Sequence, residues 1–284
     1  ATVYRDEKPG QLSGLTRVRA ITQDDGHLFL RVSQIKQEVG TIVSIIKEFY
    51  TTLGMVEDYW VSLSVSDPAT PDKYLGGKDV WDTAESSLEE AAKQFDLPYK
   101  RIEGEAAFYG PKLDFMFKDA IGRQWQLATI QLDFNLPNRF DLSYVNEQGE
   151  KERPVVIHRA ISGSLERFMG VMIEHFAGVF PLWLAPRQAI VVPVGEKFND
   201  YAEKVLKSLK DGGIRAEGDF SSDGLNKKVR NAEQAHINYI LVVGEKEEAN
   251  NGVAVRNYKT KEQTEESAVD FVARSKKEIE EKSL

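Results

Sequence analysis

The sequence predicts an α+β fold, an antiparallel sheet flanked by helices over residues 1–184, followed by a smaller α/β domain over residues 185–284. Two observations carry this. From Tyr4 to about Trp183, strand-like runs gather around sparse helices, the pattern of a sheet whose helices are segregated rather than interleaved. After Pro186 strand and helix alternate one for one, which marks a separate unit with its own core.

The first strand candidate holds TQDDGHLF, residues 22–29, and runs on as HLFLRV; apolar residues alternate there, yet two aspartates and a histidine are set into it. VGTIVSIIKEFYTTLG and DVWDTAESSLEEAAKQF space their apolar residues as amphipathic helices do. LDFMF, WQLATIQLDF and RPVVIH are short runs rich in β-branched and aromatic residues and read as strands. In the second part come strand AIVVPV, helix NDYAEKVLKSLKDGG, strand IRAEGD, helix LNKKVRNAEQAH and strand YILVVG, a βαβαβ order. The terminal ARSKKEIEEKSL predicts a solvated helix with charge pairs four residues apart. No internal repeat or low-complexity tract is present.

Composition excludes several classes. With 41% hydrophobic and 29% charged residues and no apolar run long enough to span a bilayer, no membrane role is expected. A net charge of −8 argues against nucleic-acid binding over the whole surface while leaving room for a local basic patch. The 284 residues hold no cysteine, so a metal must rest on His, Asp or Glu or borrow a ligand from elsewhere. The sequence enters at once into ATVYRDEKPGQLSG, which has neither signal-peptide nor transit-peptide composition, and the expectation is a piece of a longer protein.

Four blocks, in order, carry a resemblance. YRDEKPGQLSGLTRVRAITQDDGHLF resembles the second signature motif of class II aminoacyl-tRNA synthetases in its threonyl form, and GEAAFYGPKLDF and RQWQLATIQLDF resemble the two strands that follow it. HRAISGSLERF resembles the third signature motif, and the stretch from APRQAIVVPVG onward resembles the anticodon-binding domain shared by several class II enzymes. The chain is thereby identified as a member of the threonyl-tRNA synthetase family over nearly its whole length. The resemblance implies a threonine–tRNA ligase: threonine and ATP, with magnesium, give threonyl-adenylate and pyrophosphate, and the threonyl group passes to a terminal ribose hydroxyl of tRNA(Thr). It also implies a cytoplasmic protein that is a homodimer at full length.

Activating an amino acid on ATP needs cations around a triphosphate, because negative charge concentrates on the α-phosphate in the transition state, and arginine forks meet phosphate oxygens two at a time. A lone RVR would otherwise read as the solvated end of a strand. By resemblance Arg5 contacts the α-phosphate and the threonine carboxylate, Arg17 the terminal phosphates, and Arg167 the terminal phosphates and one face of the adenine. Glu7 accepts from the adenine amino group, Lys112 adds charge near the reacting phosphate, and Gln126 and Thr129 hold the nucleotide. Arg5, Lys112 and Arg167 are the catalytic residues on this reading.

The same resemblance explains the chemistry crowded into TQDDGHLF. The family holds zinc in its amino-acid pocket on two histidines and a cysteine; His27 and His158 match the histidines, and the cysteine is expected upstream of this chain. Zinc favours imidazole and keeps an open position in such sites, so it can read a hydroxyl that valine lacks, and two histidines sharing one ion bring their rings to about 3 to 4 Å. Asp25 accepts from the threonine ammonium, and Gln23, Tyr109 and Gln131 line the pocket, while His175 and His236 read as ordinary core or surface residues. In the second domain Glu247 and Arg256 match positions that contact anticodon bases, and Lys227, Lys228 and Arg230 face the RNA backbone.

Departures from the family pattern are local. Ile21 stands where Phe is usual against the adenine, Ser13 replaces a common His, Ala106 a Gly and Leu127 a Cys, and Asp67 lies near a position that is often Arg. The first signature motif, which builds the dimer interface, an upstream histidine that assists transfer, and the N-terminal editing domain have no counterpart in these residues. A non-catalytic tRNA-binding paralogue is the alternative; prolyl, glycyl and histidyl enzymes share the anticodon domain but not the paired histidines.

Overall fold

In this computed structural model, residues 1–57, 59–119 and 121–284 are described, and the chain divides between Met172 and Ile173 into two units. The division falls ahead of the 184/185 boundary expected from the change of rhythm, within a helix that runs from Leu165 to His175.

The first unit runs β1 (Thr2–Tyr4), β2 (Ala20–Leu30), α1 (Ile35–Thr52), β3 (Tyr59–Val65), α2 (Lys78–Gln94), β4 (Tyr99–Glu103), β5 (Lys112–Lys118), β6 (Gln124–Asp133), α3 (Asn135–Arg139), β7 (Tyr144–Val145), β8 (Lys151–Glu152), β9 (Val155–Ser164) and α4 (Leu165–His175). Seven strands form one sheet in the order β1-β2-β9-β6-β5-β3-β4, and β7 and β8 form a small separate hairpin. Every pair in the sheet is antiparallel except β3 with β4, which are parallel because α2 provides the crossover that two parallel neighbours require. One face of the sheet lies under α1 and α2. There Leu113, Phe115 and Phe117 are fully buried, and Tyr50 of α1 stacks on Phe117 with ring centroids 3.8 Å apart. The Tyr50 hydroxyl is satisfied by Ile161 O at 2.9 Å, so the polar tip of this buried ring costs little.

The second unit contains β10 (Ala189–Pro193), α5 (Asn199–Asp211), β11 (Ala216–Gly218), α6 (Leu225–Gln234), β12 (Tyr239–Val243), α7 (Glu245–Ala249), β13 (Gly252–Asn257), β14 (Gln263–Ser267) and α8 (Ala268–Glu280). Its sheet order is β11-β10-β12-β13-β14, with the first three strands parallel and the last two added antiparallel. The expected βαβαβ core is therefore extended by two strands. Val191, Val205, Leu209, Leu241 and Phe271 pack together on one side of the sheet, and Val192, Ala232 and Ile240 form a smaller cluster with Leu225 and Val229 of α6. The terminal helix is not merely solvated: it begins at Ala268, Ser267 caps it by accepting from Asp270 N at 3.1 Å, and it buries Phe271 and Ser275. Among the described residues no helix is long and apolar enough to cross a membrane.

Candidate active site

Strand register builds the site. Side chains of directly paired residues emerge on the same face of a sheet, as do residues two apart along one strand. One row across the sheet reads Ser64, Lys112, Gln131, His158, His27; the next reads Ser62, Asp114, Thr129, Ala160, Asp25. Both lie on the face opposite α1 and α2. Six of the residues expected from the sequence thus share one surface, contributed by β5, β6, β9 and β2. Gln126 joins them only because the ladder skips Leu127 between the pairs Phe115–Ala128 and Met116–Gln126; without that bulge Gln126 and Thr129 would point to opposite faces.

Asp114 is the hub of this surface. Its buried carboxylate accepts from Gln126 Nε2 and Thr129 Oγ1, both at 2.7 Å, and pairs with the ammonium of Lys112. Lys112 is accordingly a neutralised cation with fixed aim, and Gln126 and Thr129 hold their rotamers through the same carboxylate.

Beside these rows lies a cleft lined by Arg5, Glu7, Arg17, Ile21, Gln126, Gly163 and Arg167, among others. The chain from Arg5 to Arg19 folds back on itself, with Arg5 N donating to Arg19 O at 2.8 Å, so Glu7 and Arg17 face each other. Both Nε and Nη2 of Arg17 reach Glu7 Oε2 at 3.0 Å, and Arg19 Nε reaches the Glu7 carbonyl at 3.0 Å. Arg167 projects from the first turn of α4, its Nε on Thr16 O at 3.0 Å and Nη1 on Gln126 O at 3.3 Å, with the guanidinium 5.9 Å from the centre of the Trp125 ring. Burial lowers the Arg167 pKa, and the charges of Arg5 and Arg17 lower it further, with Glu7 opposing. A guanidinium keeps its proton regardless, so the cleft concentrates positive charge that a polyanion would relieve. Ile21 is buried beneath it, an aliphatic floor.

The histidines meet edge to face, with ring centroids 4.6 Å apart and planes at 78°. His158 Nε2 lies 3.1 Å from Asp133 Oδ2, and Asp133, fully buried, is itself held by Asn135 N at 2.7 Å and Leu136 N at 2.9 Å. A carboxylate on one ring nitrogen fixes the tautomer and leaves the other nitrogen as a lone-pair donor, the arrangement that usually stands behind a metal-binding imidazole. His27 is closer to solvent, its Nε2 3.8 Å from Asp25 Oδ2. Tyr109 hydroxyl donates to Gln131 Oε1 at 2.5 Å, and its ring lies 5.6 Å from His158. Burial, then the carboxylates of Asp133, Asp25 and Asp114, raise the Tyr109 pKa, so it stays a donor. Gln23 pairs in register with Ser164 and lines the cleft rather than the histidine row. Among the described residues no group of three or more His, Asp or Glu side chains could hold a metal ion, so the two histidines fit a site completed from outside the chain and not a complete one.

In the second unit, Glu247 turns its carboxylate back to cap Gly244 N at 2.9 Å, and Arg256 Nε holds Glu233 Oε1 at 3.0 Å, shared with Lys261 at 3.3 Å. Lys227 and Arg230 are exposed, but Lys228 corrects the expectation placed on it: it is only 3% exposed, with Nζ on the Asp219 carbonyl at 3.1 Å. Lys228 lies on the side of α6 that packs inward, and the Asp219 carbonyl gives its ammonium a partner there.

Sequence reasoning missed the acidic residues behind the site, namely Asp24, Asp114, Asp133 and Glu166. Asp114 alone left a readable signal, standing two residues from Lys112 on a strand and therefore on its face.

Comparison with known proteins gives consistent matches. A family model described as the tRNA synthetase class II core domain (G, H, P, S and T) matches residues 1–176, and one described as the anticodon binding domain matches residues 188–278. A threonine–tRNA ligase of Thermus thermophilus is 54% identical over 258 residues, 91% of this chain but 39% of that protein. That of Deinococcus deserti is 49% identical over 270 residues, 95% of this chain and 41% of that protein. The solved RNA binding domain of threonyl-tRNA synthetase from Cryptosporidium parvum Iowa II superposes with a TM-score of 0.91 at 39% identity, covering 98% of this chain and 68% of that one. The chain thus spans about two fifths of the length of the curated relatives it matches, 39% and 41%.

Proposed function

Because the chain belongs to the threonyl-tRNA synthetases of the class II family, we propose that it forms the adenylate-forming and anticodon-reading part of a threonine–tRNA ligase, with residues 1–184 as the catalytic part and 185–284 as the anticodon part. The observation that carries this is the convergence of Arg5, Arg17 and Arg167 on one cleft that adjoins the row of Lys112, Gln131, His158 and His27. ATP, with its magnesium, takes the cleft: Arg5 meets the α-phosphate and the threonine carboxylate, Arg17 and Arg167 the terminal phosphates, and Glu7 the adenine amino group. Lys112, Gln126 and Thr129 border the nucleotide from β5 and β6. Placed cations of this kind act where charge develops, on the α-phosphate as pyrophosphate departs. The carboxylate of threonine attacks that phosphorus and displaces pyrophosphate, and a terminal ribose hydroxyl of tRNA(Thr) then attacks the carbonyl carbon of the mixed anhydride, forming the ester and releasing AMP.

Threonine lies along the histidine row, its ammonium on Asp25 with Gln23, Tyr109 and Gln131 around it. His27 and His158 would hold zinc together with a ligand from outside this chain; when bound, zinc supplies a Lewis-acid position that distinguishes a hydroxyl from a methyl. Asp133 supports the fit by fixing the His158 ring, and Tyr109, kept protonated, donates rather than accepts. Glu247 and Arg256 read anticodon bases, and the longer protein acts as a homodimer in the cytoplasm.

The test is threonine-dependent ATP–pyrophosphate exchange by the longer protein that contains this chain, with valine and serine as competitors and zinc measured per chain. Exchange with threonine, little with valine and one zinc per chain is the expected result. Exchange that prefers valine, or none with threonine, overturns the proposal.

A further inference from the structure

The ladder between β2 and β9 breaks at one place. Gln23 pairs with Ser164 and the next pair is Asp25 with Ala160, so a single β2 residue, Asp24, faces Ile161, Ser162 and Gly163 of β9. Three successive amides lose their ladder partners there, and a buried amide without a partner is costly. The Asp24 carboxylate takes all three: Oδ2 accepts from Ile161 N at 2.9 Å and Ser162 N at 3.0 Å, and Oδ1 from Gly163 N at 2.8 Å. A second carboxylate answers from the other side. Glu166, on α4, accepts from Thr22 N of β2 with both oxygens at 3.0 Å and from Ser164 Oγ at 3.0 Å. Asp24 of β2 thus holds the backbone of β9, and Glu166 of α4, just past β9, holds the backbone of β2.

We infer that Asp24 and Glu166 are positioning residues that set the bend from β9 into α4 and thereby aim the Arg167 guanidinium into the cleft. This rests on the reading of the cleft as the ATP site. The backbone at the bend is already committed: Gly163 has φ +70°, and its amide is one of the three that Asp24 holds. Ser164, next in the chain, receives Arg167 N on its hydroxyl at 3.2 Å while donating to Glu166, so the first turn of α4 is tied to the clasp through one side chain. Arg167 is thus fixed at its backbone by the clasp and at its guanidinium by two carbonyls. Small rotations of that first turn move a long side chain by far more than they move the helix, and a misplaced phosphate contact weakens sharply with distance. Asp24 is suited to this because a carboxylate offers two oxygens and a full charge to three donors. Its amide would offer one oxygen and turn an NH2 toward an N–H.

The test is a double-mutant cycle on MgATP binding, read on the longer protein as Asp24→Asn, Arg167→Ala and the two together. Asp24→Asn alone should weaken MgATP by about tenfold. In the Arg167→Ala background the same change should alter affinity by less than about twofold, since the group that Asp24 aims is gone. Equal losses in the two backgrounds overturn the inference, because they make Asp24 a general support of the fold. Glu166→Gln, which leaves the three-amide contact intact, is run through the same cycle with the same expectation; if Asp24→Asn does not fold, this cycle decides alone. An unaltered protein that binds no MgATP overturns the ATP reading and this inference with it, a result that no comparison among variants can mimic.

Discussion

Gly163 and Gly149 allow the close packing behind the cleft to be measured against a matched control. Both have left-handed backbone, φ +70° and +81°, so alanine at either carries the same conformational cost of about 1–2 kcal/mol. They differ in what a methyl group would meet. At Gly149, in the turn between β7 and β8, nothing lies within 4 Å. At Gly163 the new carbon would sit 2.4 Å from Leu127 O and 3.4 Å from Leu127 C, and the obstacle is backbone of β6 rather than a side chain that could swing away. Relieving that contact adds overpacking strain of about 1–3 kcal/mol. Gly149→Ala should therefore lose about 1–2 kcal/mol and Gly163→Ala about 2–5 kcal/mol. Urea denaturation followed by tryptophan fluorescence reads both, because Trp60, Trp81 and Trp125 lie in the first unit. Losses that agree to within about 0.5 kcal/mol would refute the argument that β9 can pass β6 there only as glycine.

Three further outcomes follow from named contacts. Burial pushes the Asp119 pKa up, but hydrogen bonds from Trp125 Nε1, Arg123 Nε, Arg123 N and Ile121 N outweigh it and hold the group at about 2 against an ordinary 3.8. A depressed carboxylate contributes stability above its unfolded pKa and loses it as pH falls toward the folded value. The stability gap between wild type and Asp119→Asn should thus be about 1–2 kcal/mol near neutrality, allowing for solvent around Arg123, and should close between about pH 4 and pH 2; a gap constant over that window contradicts the assignment. Asp133→Asn should lower the zinc affinity of the longer protein by about 10- to 100-fold, read by competition with a chelating dye, and unchanged affinity would detach Asp133 from the metal. Arg256→Ala should weaken tRNA(Thr) binding by about 1–3 kcal/mol with little effect on pyrophosphate exchange; a loss of exchange equal to the loss of binding would place Arg256 in the general fold.

The elements legible in the sequence were of two kinds, those with one wet face and the short continuous apolar runs of β9, β10 and β12. β5, β6, α1 and α2 repeat apolar residues at the period of their own geometry. β3 was passed over although Val61, Leu63 and Val65 alternate with Ser62 and Ser64 as a strand should; what the sequence does not show is that the serine face is buried as well. β14 offers no such alternation, with Gln263, Thr264 and Glu265 exposed and no apolar face to repeat. The cleft's cations could be named because their chemistry is stated by residue type within recognisable motifs. The carboxylates behind them could not. Asp24 matters through a bulge, Asp133 through a histidine twenty-five residues away, and Glu166 through an amide on another strand, and no local spacing encodes those meetings.

The charges of the cleft also bear on how a nucleotide could enter it. Arg17 gives two of its donors to a single oxygen of Glu7, and Arg17 is about half exposed while Glu7 is 11% exposed. On the proposed reading these two partners serve different ends of one ligand, the guanidinium the terminal phosphates and the carboxylate the adenine amino group. Binding would then exchange one internal ion pair for two ligand contacts, so neither group is left buried and uncompensated, the condition that makes broken ion pairs expensive. Lys112 stands differently. Its ammonium pairs with Asp114, whose other oxygen is occupied by Gln126 and Thr129, and separating them would leave a buried carboxylate without its cation. On the proposed reading Lys112 would act with Asp114 attached, as a directed donor of little net charge, and the positive field at the reacting phosphate would come mainly from Arg5 and Arg167. That places the electrostatic weight of the proposed reaction on two arginines that line the cleft, one just after β1 and one on α4, and makes the bend that carries α4 as consequential as the cations themselves.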